Sequence, residues 1–163
     1  MRNMNAHVER AANRPAVELD LQYAVDAGGL PLADDFQRWA EAALAGQGTP
    51  VELVIRIVDE AESRALNGRY RGRDRPTNVL SFPFEAPPGV PSDHLGDLVI
   101  CAPVVKREAH EQGKAEQAHW AHMTVHGVLH LCGLDHQTGE QAQQMEAMET
   151  KVLEELGFTD PYA

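Results

Sequence analysis

The pattern of apolar and polar residues along the chain predicts four short β-strands. The alternation is strict over 17–23 and nearly so over 51–58, as in strands that bury one face. Two further stretches, 78–84 and 95–101, are rich in β-branched and aromatic residues. Because Pro83 cannot donate a hydrogen bond to a neighbouring strand, we expect the third strand at a sheet edge, in a hairpin with the fourth.

Apolar residues spaced three or four apart predict five helices between and after these strands. Asp59, with Glu62, is expected to form a capping box for the second helix, and Gly68 is expected to end it, which leaves the arginines beyond it in a loop. Met145 and Met148 are expected in the core stripe of the last helix. The other helices are predicted from Asp34 or Asp35 to Gly46, from Pro103 to about Gly113, over 115–131, and from Thr138, capped with Gln141, to Gly157.

The element order βαβαββααα predicts a single α+β domain with a mixed four-stranded sheet packed with about five helices. The first two crossovers predict parallel strand pairs, and the hairpin adds an antiparallel pair. Residues 1–15 are polar and lack an apolar core, so we expect a flexible leader before a domain spanning 16–163. No apolar run approaches the roughly 18 residues of a membrane span, and two cysteines are too few for a disulfide framework. These features favour a cytoplasmic protein without a membrane partner.

Residues 126–136 read HGVLHLCGLDH and form the strongest chemical signal in the chain. His126 and His130 are four residues apart, so they share one helix face and can bind the same ion. Gly133 can adopt a positive φ and end the helix, and His136 can then return as a third ligand. Three neutral nitrogens with an open fourth position are typical of a catalytic Zn²⁺ site. Three imidazoles also suit nickel, iron or copper.

The histidine spacing is that of the metzincin metalloproteases, with one departure. The glutamate that acts as general base in those enzymes is replaced here by Gly127. A glycine side chain cannot accept a proton. The spacing therefore favours metal binding, while Gly127 argues against a peptidase.

Three further polar residues near the motif each admit more than one interpretation. At about 1.5 Å per residue, His119 is too far along the helix to share an ion with His130, so it either packs in the core or supports another ligand. His122 can pair with His126 in place of His130, support a ligand from outside the site, or simply pack in the core. Asp135 can orient a ligand or support the turn. We favour His126 and His130 because they are next to the turn that returns His136.

Residues 64–75 form a basic strip on an acidic protein. The formal net charge of −11 argues against general nucleic-acid binding. The strip contains five arginines and one aspartate, so it carries +4 and leaves −15 on the rest of the chain. Guanidinium groups match phosphate with two parallel donors. Arg69, Arg73 and Arg75 therefore either hold a few phosphates or belong to a solvated loop.

The histidine motif resembles the signature of the YbeY family, bacterial endoribonucleases of ribosomal RNA maturation. Leu134 departs from the family pattern, which often has an aromatic residue there, and this puts no catalytic residue in doubt. The likeness covers nearly the whole chain, from about residue 17 to the 160–162 segment. It includes 66–67, 70–72, Asp74, 76–84, 95–97, 108–109 and 119–122.

The resemblance implies a domain related to the zincin-like fold, with one Zn²⁺ on His126, His130 and His136. It places the family's functional arginine at Arg71, so Arg71 and His126 are the expected catalytic residues. It also implies single-stranded RNA as substrate, with roles in 16S rRNA 3′-end maturation, late small-subunit assembly and ribosome quality control. The implied partners are the 30S ribosomal subunit, its proteins and an Era-type GTPase.

Three functions compete at this point. The favoured one is a metal-dependent, single-strand-specific endoribonuclease whose cleft lies between the histidine helix and strand 77–84. The second is a non-catalytic assembly factor in which the metal orders the last helices. The third is a metallopeptidase, which Gly127 disfavours. Cleavage by water would leave a 5′-phosphate and cleavage by the ribose a 2′,3′-cyclic phosphate, and the sequence leaves both open.

Overall fold

The computed structural model describes residues 16–163, and the leader expected at 1–15 lies outside the described residues. Four strands form one mixed sheet with five helices packed on it, which confirms the predicted α+β fold. Within the described part of the chain, no helix is both long and apolar enough to cross a membrane. The strands are β1 (Val17–Tyr23), β2 (Val51–Val58), β3 (Val79–Pro83) and β4 (His94–Cys101). The helices are α1 (Ala33–Ala43), α2 (Glu60–Arg71), α3 (Ala102–Glu111), α4 (Glu116–Leu131) and α5 (Gly139–Glu155).

The strand order in the sheet is β1-β2-β4-β3. β1 and β2 are parallel and β3 and β4 are antiparallel, as predicted. The prediction that the second crossover gives a parallel pair was wrong, because β2 pairs with β4 and not with β3. The physical reason is burial: residues 98–101 of β4 are buried on both faces, which favours a central strand. Pro83 places β3 at the edge, as expected.

The larger core lies between one face of the sheet and α1, α4 and α5. Phe36, Trp39 and Trp120 pack edge to face at its centre, with ring centroids 5.3 and 6.0 Å apart for the pairs Phe36–Trp39 and Phe36–Trp120. Helix α4 is buried over most of its surface and lies against β3 and β4. The end of α4 is therefore held firmly beside the sheet edge.

Helix α2 is one turn longer than predicted. It continues through Gly68 and ends at Gly72, which has a φ of 69°. Asp59 caps it by accepting a hydrogen bond from the Glu62 backbone N–H at 2.8 Å. The Glu62 carboxylate does not complete the expected capping box, because it pairs with Arg56. Arg71 thus lies in the last turn of a helix and not in a loop.

The caps and core stripes of the other helices follow the sequence more closely, with two corrections. Thr138 and Gln141 form the predicted capping box of α5. Helix α1 starts at Ala33, so Asp35 lies in its first turn and accepts from the Leu32 backbone N–H. Met148 is 42% exposed and does not belong to the core stripe of α5. The buried residues of that helix are Met145, Glu149, Val152 and Leu153.

Candidate metal centre

The end of α4 and the turn after it bring three histidines together. His126 and His130 are one helical turn apart, and their ring centroids are 6.2 Å apart. The chain leaves α4 through Gly133, whose φ is +98°, and this turn returns His136. The His136 ring centroid lies 5.6 Å from that of His126 and 5.6 Å from that of His130. The three imidazoles thus form a nearly equilateral group.

Asp135 lies in the same group and has two contacts. Ligand atoms of His130, Asp135 and His136 lie within 4.8 Å of one another. The Asp135 carboxylate also accepts a hydrogen bond from the His136 backbone N–H at 2.7 Å. Asp135 therefore supports the turn and also places an oxygen beside the imidazole nitrogens.

The carboxylate of Glu149 on α5 orients His126. Glu149 is completely buried, and one of its oxygens accepts a hydrogen bond from His126 Nδ1. A carboxylate can only accept, so Nδ1 carries the proton and Nε2 remains available as a ligand. Burial raises the pKa of Glu149, but hydrogen bonds from His122, His126 and Tyr162 outweigh that effect and lower it to about 2. Glu149 is therefore an anion at neutral pH.

Glu149 was not predicted from the sequence as a site residue, although a signal was present. Glu149 occupies the apolar stripe of α5, four residues after Met145 and three before Val152. A charged residue in such a stripe needs a partner, because an unpaired buried charge is strongly unfavourable. The stripe position therefore marks Glu149 as a residue with a buried partner.

The two earlier histidines of α4 occupy different surroundings. His122 Nε2 lies 3.3 Å from the second oxygen of Glu149. His122 therefore contacts the same carboxylate that accepts a hydrogen bond from His126. His119 Nε2 lies 2.9 Å from Glu108, which also accepts from the Asn78 amide at 3.2 Å. His119 thus belongs to a separate pair that supports the start of β3.

The histidine group opens into a cleft of about 720 Å³. Its walls include β3, the end of α4, and the end of α2, where Arg71 is exposed. The Ser81 hydroxyl donates to the Gly127 carbonyl at 3.3 Å and ties β3 to α4. Arg71 and the three histidines therefore line one cleft between the elements that the sequence predicted.

The other arginines of the basic strip lie outside this cleft. Arg64 forms a two-pronged pair with Asp74 at 2.7 and 2.9 Å, so its guanidinium is already engaged. Arg69, Arg73 and Arg75 are exposed and, like Arg71, form no ion pair within residues 16–163. These three do not line the cleft. The structure thus brings only Arg71 of the strip to the histidines.

An aromatic pair borders the cleft beside Arg71. Tyr70 is 58% exposed, and its ring packs edge to face on Phe82 with centroids 5.1 Å apart. The Arg69 guanidinium lies 5.6 Å from the Tyr70 ring centroid. Tyr70 belongs to the family match at 70–72 but was given no role from the sequence, although an aromatic residue between arginines is a signal of nucleic-acid contact.

Gly127 is required by the packing of α4 against the sheet. A Cβ atom at this position would lie 2.8 Å from Leu98 Cδ2 and 3.2 Å from Val79 Cγ2. A side chain here would require the buried Leu98 side chain to shift, which gives a physical reason for the departure from the metzincin pattern. The described site therefore lacks the proton acceptor of those peptidases at this position.

The donor set fits a divalent transition metal. Imidazole nitrogens with a neighbouring carboxylate are typical ligands of Zn²⁺ and related ions. The Glu149 contact assigns the Nδ1 atom of His126 to the carboxylate, so Nε2 is the nitrogen that can bind an ion. Fold and site together define an α+β protein with a histidine-rich candidate metal centre and, in the same cleft, an arginine that forms no ion pair with any described residue.

Comparison with known proteins identifies the family. The family described as Endoribonuclease YbeY matches residues 29–157. The chain is 60% identical over 153 residues to Endoribonuclease YbeY of Alkalilimnicola ehrlichii, covering 91% of this chain and 92% of that protein. It is also similar to the solution structure of the Thermotoga maritima protein TM1509, with a TM-score of 0.55, 26% identity, and coverage of 89% of this chain and 97% of that one. The chain belongs to the YbeY endoribonuclease family, as its motifs implied.

Proposed function

We propose that this protein is a zinc-dependent endoribonuclease that cleaves single-stranded RNA. The name of the relative, Endoribonuclease YbeY, supports RNA cleavage. The observation that carries the proposal is the joint position of Arg71 and the three histidines in one cleft. The catalytic unit would be the domain at 16–163, preceded by a leader at 1–15.

We further propose a place for this activity in the cell. The substrate would be 16S rRNA, cleaved in the cytoplasm during 3′-end maturation, late small-subunit assembly and ribosome quality control. The partners would be the 30S ribosomal subunit, its proteins and an Era-type GTPase. These finer assignments rest on membership in the family.

The metal would be held by His126, His130 and His136, with the Asp135 carboxylate beside them. When bound, Zn²⁺ supplies Lewis acidity toward a phosphoryl oxygen and lowers the pKa of a coordinated water toward about 7. Glu149 holds the proton on Nδ1 of His126, which leaves Nε2 as the ligand atom. Glu149 thus decides which nitrogen of His126 is available to the metal.

Arg71 would bind the phosphate at the cleavage point. Its guanidinium offers two parallel N–H donors to the non-bridging oxygens, where negative charge grows during phosphodiester cleavage. Because Arg71 lies in the last turn of α2, the helix fixes the position of its backbone. Arg69, Arg73 and Arg75 would hold neighbouring phosphates and make binding dependent on salt.

Tyr70 would favour single-stranded RNA. Bases in a duplex are already stacked on their neighbours, whereas an unpaired base is free to stack on an exposed aromatic ring. Tyr70 offers such a ring at the cleft wall, supported from the side by Phe82. An unpaired base beside the scissile phosphate would therefore contact Tyr70.

Replacing Tyr70 with alanine is expected to raise the KM for a short single-stranded RNA about 10-fold, because one base–aromatic stack contributes about 1–3 kcal/mol. Tyr70→Trp is expected to keep the wild-type KM. Phe84→Ala is the matched control, since Phe84 is also exposed but does not line the cleft. Initial-rate kinetics on one oligonucleotide check this. Equal KM values for Tyr70→Ala and Phe84→Ala would exclude the stacking role.

Removal of the metal tests the proposed function directly. The purified protein, stripped with a chelator, is expected to lose cleavage of single-stranded RNA and to regain it when Zn²⁺ is added back. A duplex of the same sequence is expected to resist cleavage. Analysis of the product ends would show which nucleophile acts, water or the ribose.

Two results would count against this proposal. Unchanged cleavage by the stripped protein would show that a contaminant or a metal-independent activity is being measured. Rescue of ribosome maturation in cells by a variant that cannot cleave RNA would instead favour the non-catalytic assembly factor.

A further inference from the structure

The segment after α5, residues 158–163, folds back against the candidate metal centre. The Asp160 carboxylate accepts hydrogen bonds from the Tyr162 backbone N–H at 2.8 Å and from the Thr150 hydroxyl at 3.4 Å. The Pro161 carbonyl accepts from Lys114 Nζ at 2.7 Å. These contacts anchor the segment to α5 and to the residues just before α4, and they place the Tyr162 side chain beside His122.

Glu149 connects Tyr162 to His126. One carboxylate oxygen accepts from His126 Nδ1, and the other accepts from the Tyr162 hydroxyl. His122 Nε2 lies 3.3 Å from that second oxygen, and its ring packs edge to face on Tyr162 with centroids 5.3 Å apart. Because Glu149 is completely buried, these contacts take the place of water around its charge.

The hydroxyl of Tyr162 restricts the orientation of this carboxylate. A carboxylate rotates about the bond to its methylene group unless both oxygens are held. Tyr162 holds one oxygen more closely than His122 does at 3.3 Å, and the other oxygen is then directed at His126 Nδ1. The imidazole proton is then fixed on Nδ1, which leaves Nε2 as the nitrogen that can bind an ion.

We propose that Tyr162 is a positioning residue of the metal centre, which holds His126 for metal binding by fixing the Glu149 carboxylate. This inference rests on the metal site of the proposed function. The 158–163 segment, which lies outside the histidine motif, thereby becomes part of the site. A group that contacts a ligand and not the ion, as Glu149 does, typically changes metal affinity 10- to 100-fold when it is lost. Tyr162 acts through Glu149, so we expect the lower end of that range for loss of its hydroxyl.

A purely structural role for the hydroxyl predicts a different result. In that case its loss would lower stability without changing metal affinity. Tyr23 provides the matched control, because its hydroxyl donates to the Pro31 carbonyl at 2.6 Å and Tyr23 is not among the cleft residues. Tyr162→Phe and Tyr23→Phe each remove one hydroxyl that donates a hydrogen bond and keep the ring.

The test is a Zn²⁺ titration of the full, metal-stripped chain in competition with a chromophoric chelator. Tyr162→Phe is expected to bind Zn²⁺ about 10-fold more weakly than wild type, and Glu149→Gln about 10- to 100-fold more weakly. Tyr23→Phe is expected to keep the wild-type affinity. Replacing Zn²⁺ with Co²⁺ gives a second readout, since its visible spectrum is expected to change in Tyr162→Phe and not in Tyr23→Phe.

Each outcome decides the inference. Wild-type affinity and spectrum for Tyr162→Phe would overturn it, even if thermal unfolding showed a less stable protein. A loss confined to Glu149→Gln would also overturn the role of Tyr162. If Glu149→Gln does not fold, the comparison of the two Tyr→Phe variants still decides. Failure of the wild-type chain to bind Zn²⁺ would refute the metal site itself. Equal Zn²⁺ binding by the wild type and Tyr162→Phe would refute only the role of Tyr162, so the two failures can be distinguished.

Discussion

Replacing His130 with alanine is expected to abolish stoichiometric Zn²⁺ binding and to lower RNA cleavage by about 1,000-fold. His130 belongs both to the histidine triangle and to the group whose ligand atoms lie within 4.8 Å of one another. A catalytic metal stabilises transition-state charge by several kcal/mol, and each 1.4 kcal/mol corresponds to about a factor of ten in rate. Metal content measured by elemental analysis and cleavage kinetics on the same preparation check this.

The His130 substitution is informative because it should leave the fold intact. His130 lies at the end of α4 and is partly exposed to the cleft, so its truncation leaves no closed cavity in the core. His110→Ala is the control, since His110 is exposed on α3 and does not line the cleft. A His130→Ala protein with full zinc content and full activity would show that the triangle is not the metal centre.

Replacing Arg71 with glutamate is expected to lower kcat at least 100-fold while the zinc content stays at the wild-type level. Loss of one positioned donor to transition-state charge typically costs a factor of about 10² to 10³, and the glutamate also repels the phosphate. The kcat of Arg71→Lys is expected to lie between those of the wild type and Arg71→Glu, because an ammonium group keeps the charge but cannot offer two parallel donors. Kinetics and elemental analysis on the same samples separate this defect from metal loss.

Arg38→Glu is the matched control for the Arg71 variants. It makes the same change in charge on α1, where Arg38 is exposed and contacts Asp35 at 3.4 Å. An exposed pair of this kind contributes at most about 1 kcal/mol, so the variant should fold and cleave normally. If Arg71→Glu cleaves like Arg38→Glu, or loses its zinc, the proposed contact between Arg71 and phosphate is wrong.

The two variants together test whether metal binding and phosphate binding depend on different residues of the cleft. His130→Ala should lose metal and activity together, whereas Arg71→Glu should lose activity alone. The two residues are on separate elements, the end of α4 and the end of α2, which both line the cleft. A nuclease needs both groups there, whereas an assembly factor stabilised by its metal needs only the first.

Local sequence signals predicted most of the fold. The alternation in 17–23 and 51–58, the cap at Asp59 and the capping box at Thr138 all depend on near neighbours, and each of these elements is present. Pro83 predicted an edge strand because its missing N–H is a property of one residue. The end of α2 was predicted wrongly at Gly68, because glycine permits a helix end without requiring one, and Gly72 supplied it.

Strand order depended on contacts between distant residues. The connection lengths allow β2 to pair with either β3 or β4, and burial of residues 98–101 on both faces favours β4 as the central strand. No local sequence pattern shows which of these two strand pairings is favoured. The prediction that Met148 lies in the core was wrong for a related reason. The packing of α5 on α4 buries Glu149 and leaves Met148 facing outward.

The sequence by itself determined the histidine group, because its geometry is local: two residues four apart on a helix, a glycine turn, and a third residue three positions later. It also showed that position 127 has no glutamate. The catalytic role predicted for Arg71, in contrast, came from the family resemblance. Only the tertiary structure decided what surrounds the group. Glu149 is 23 residues from His126, and Tyr162 is 13 residues beyond Glu149. Contacts of that kind arise when whole helices pack, and residue spacing along the chain carries no direct information about them.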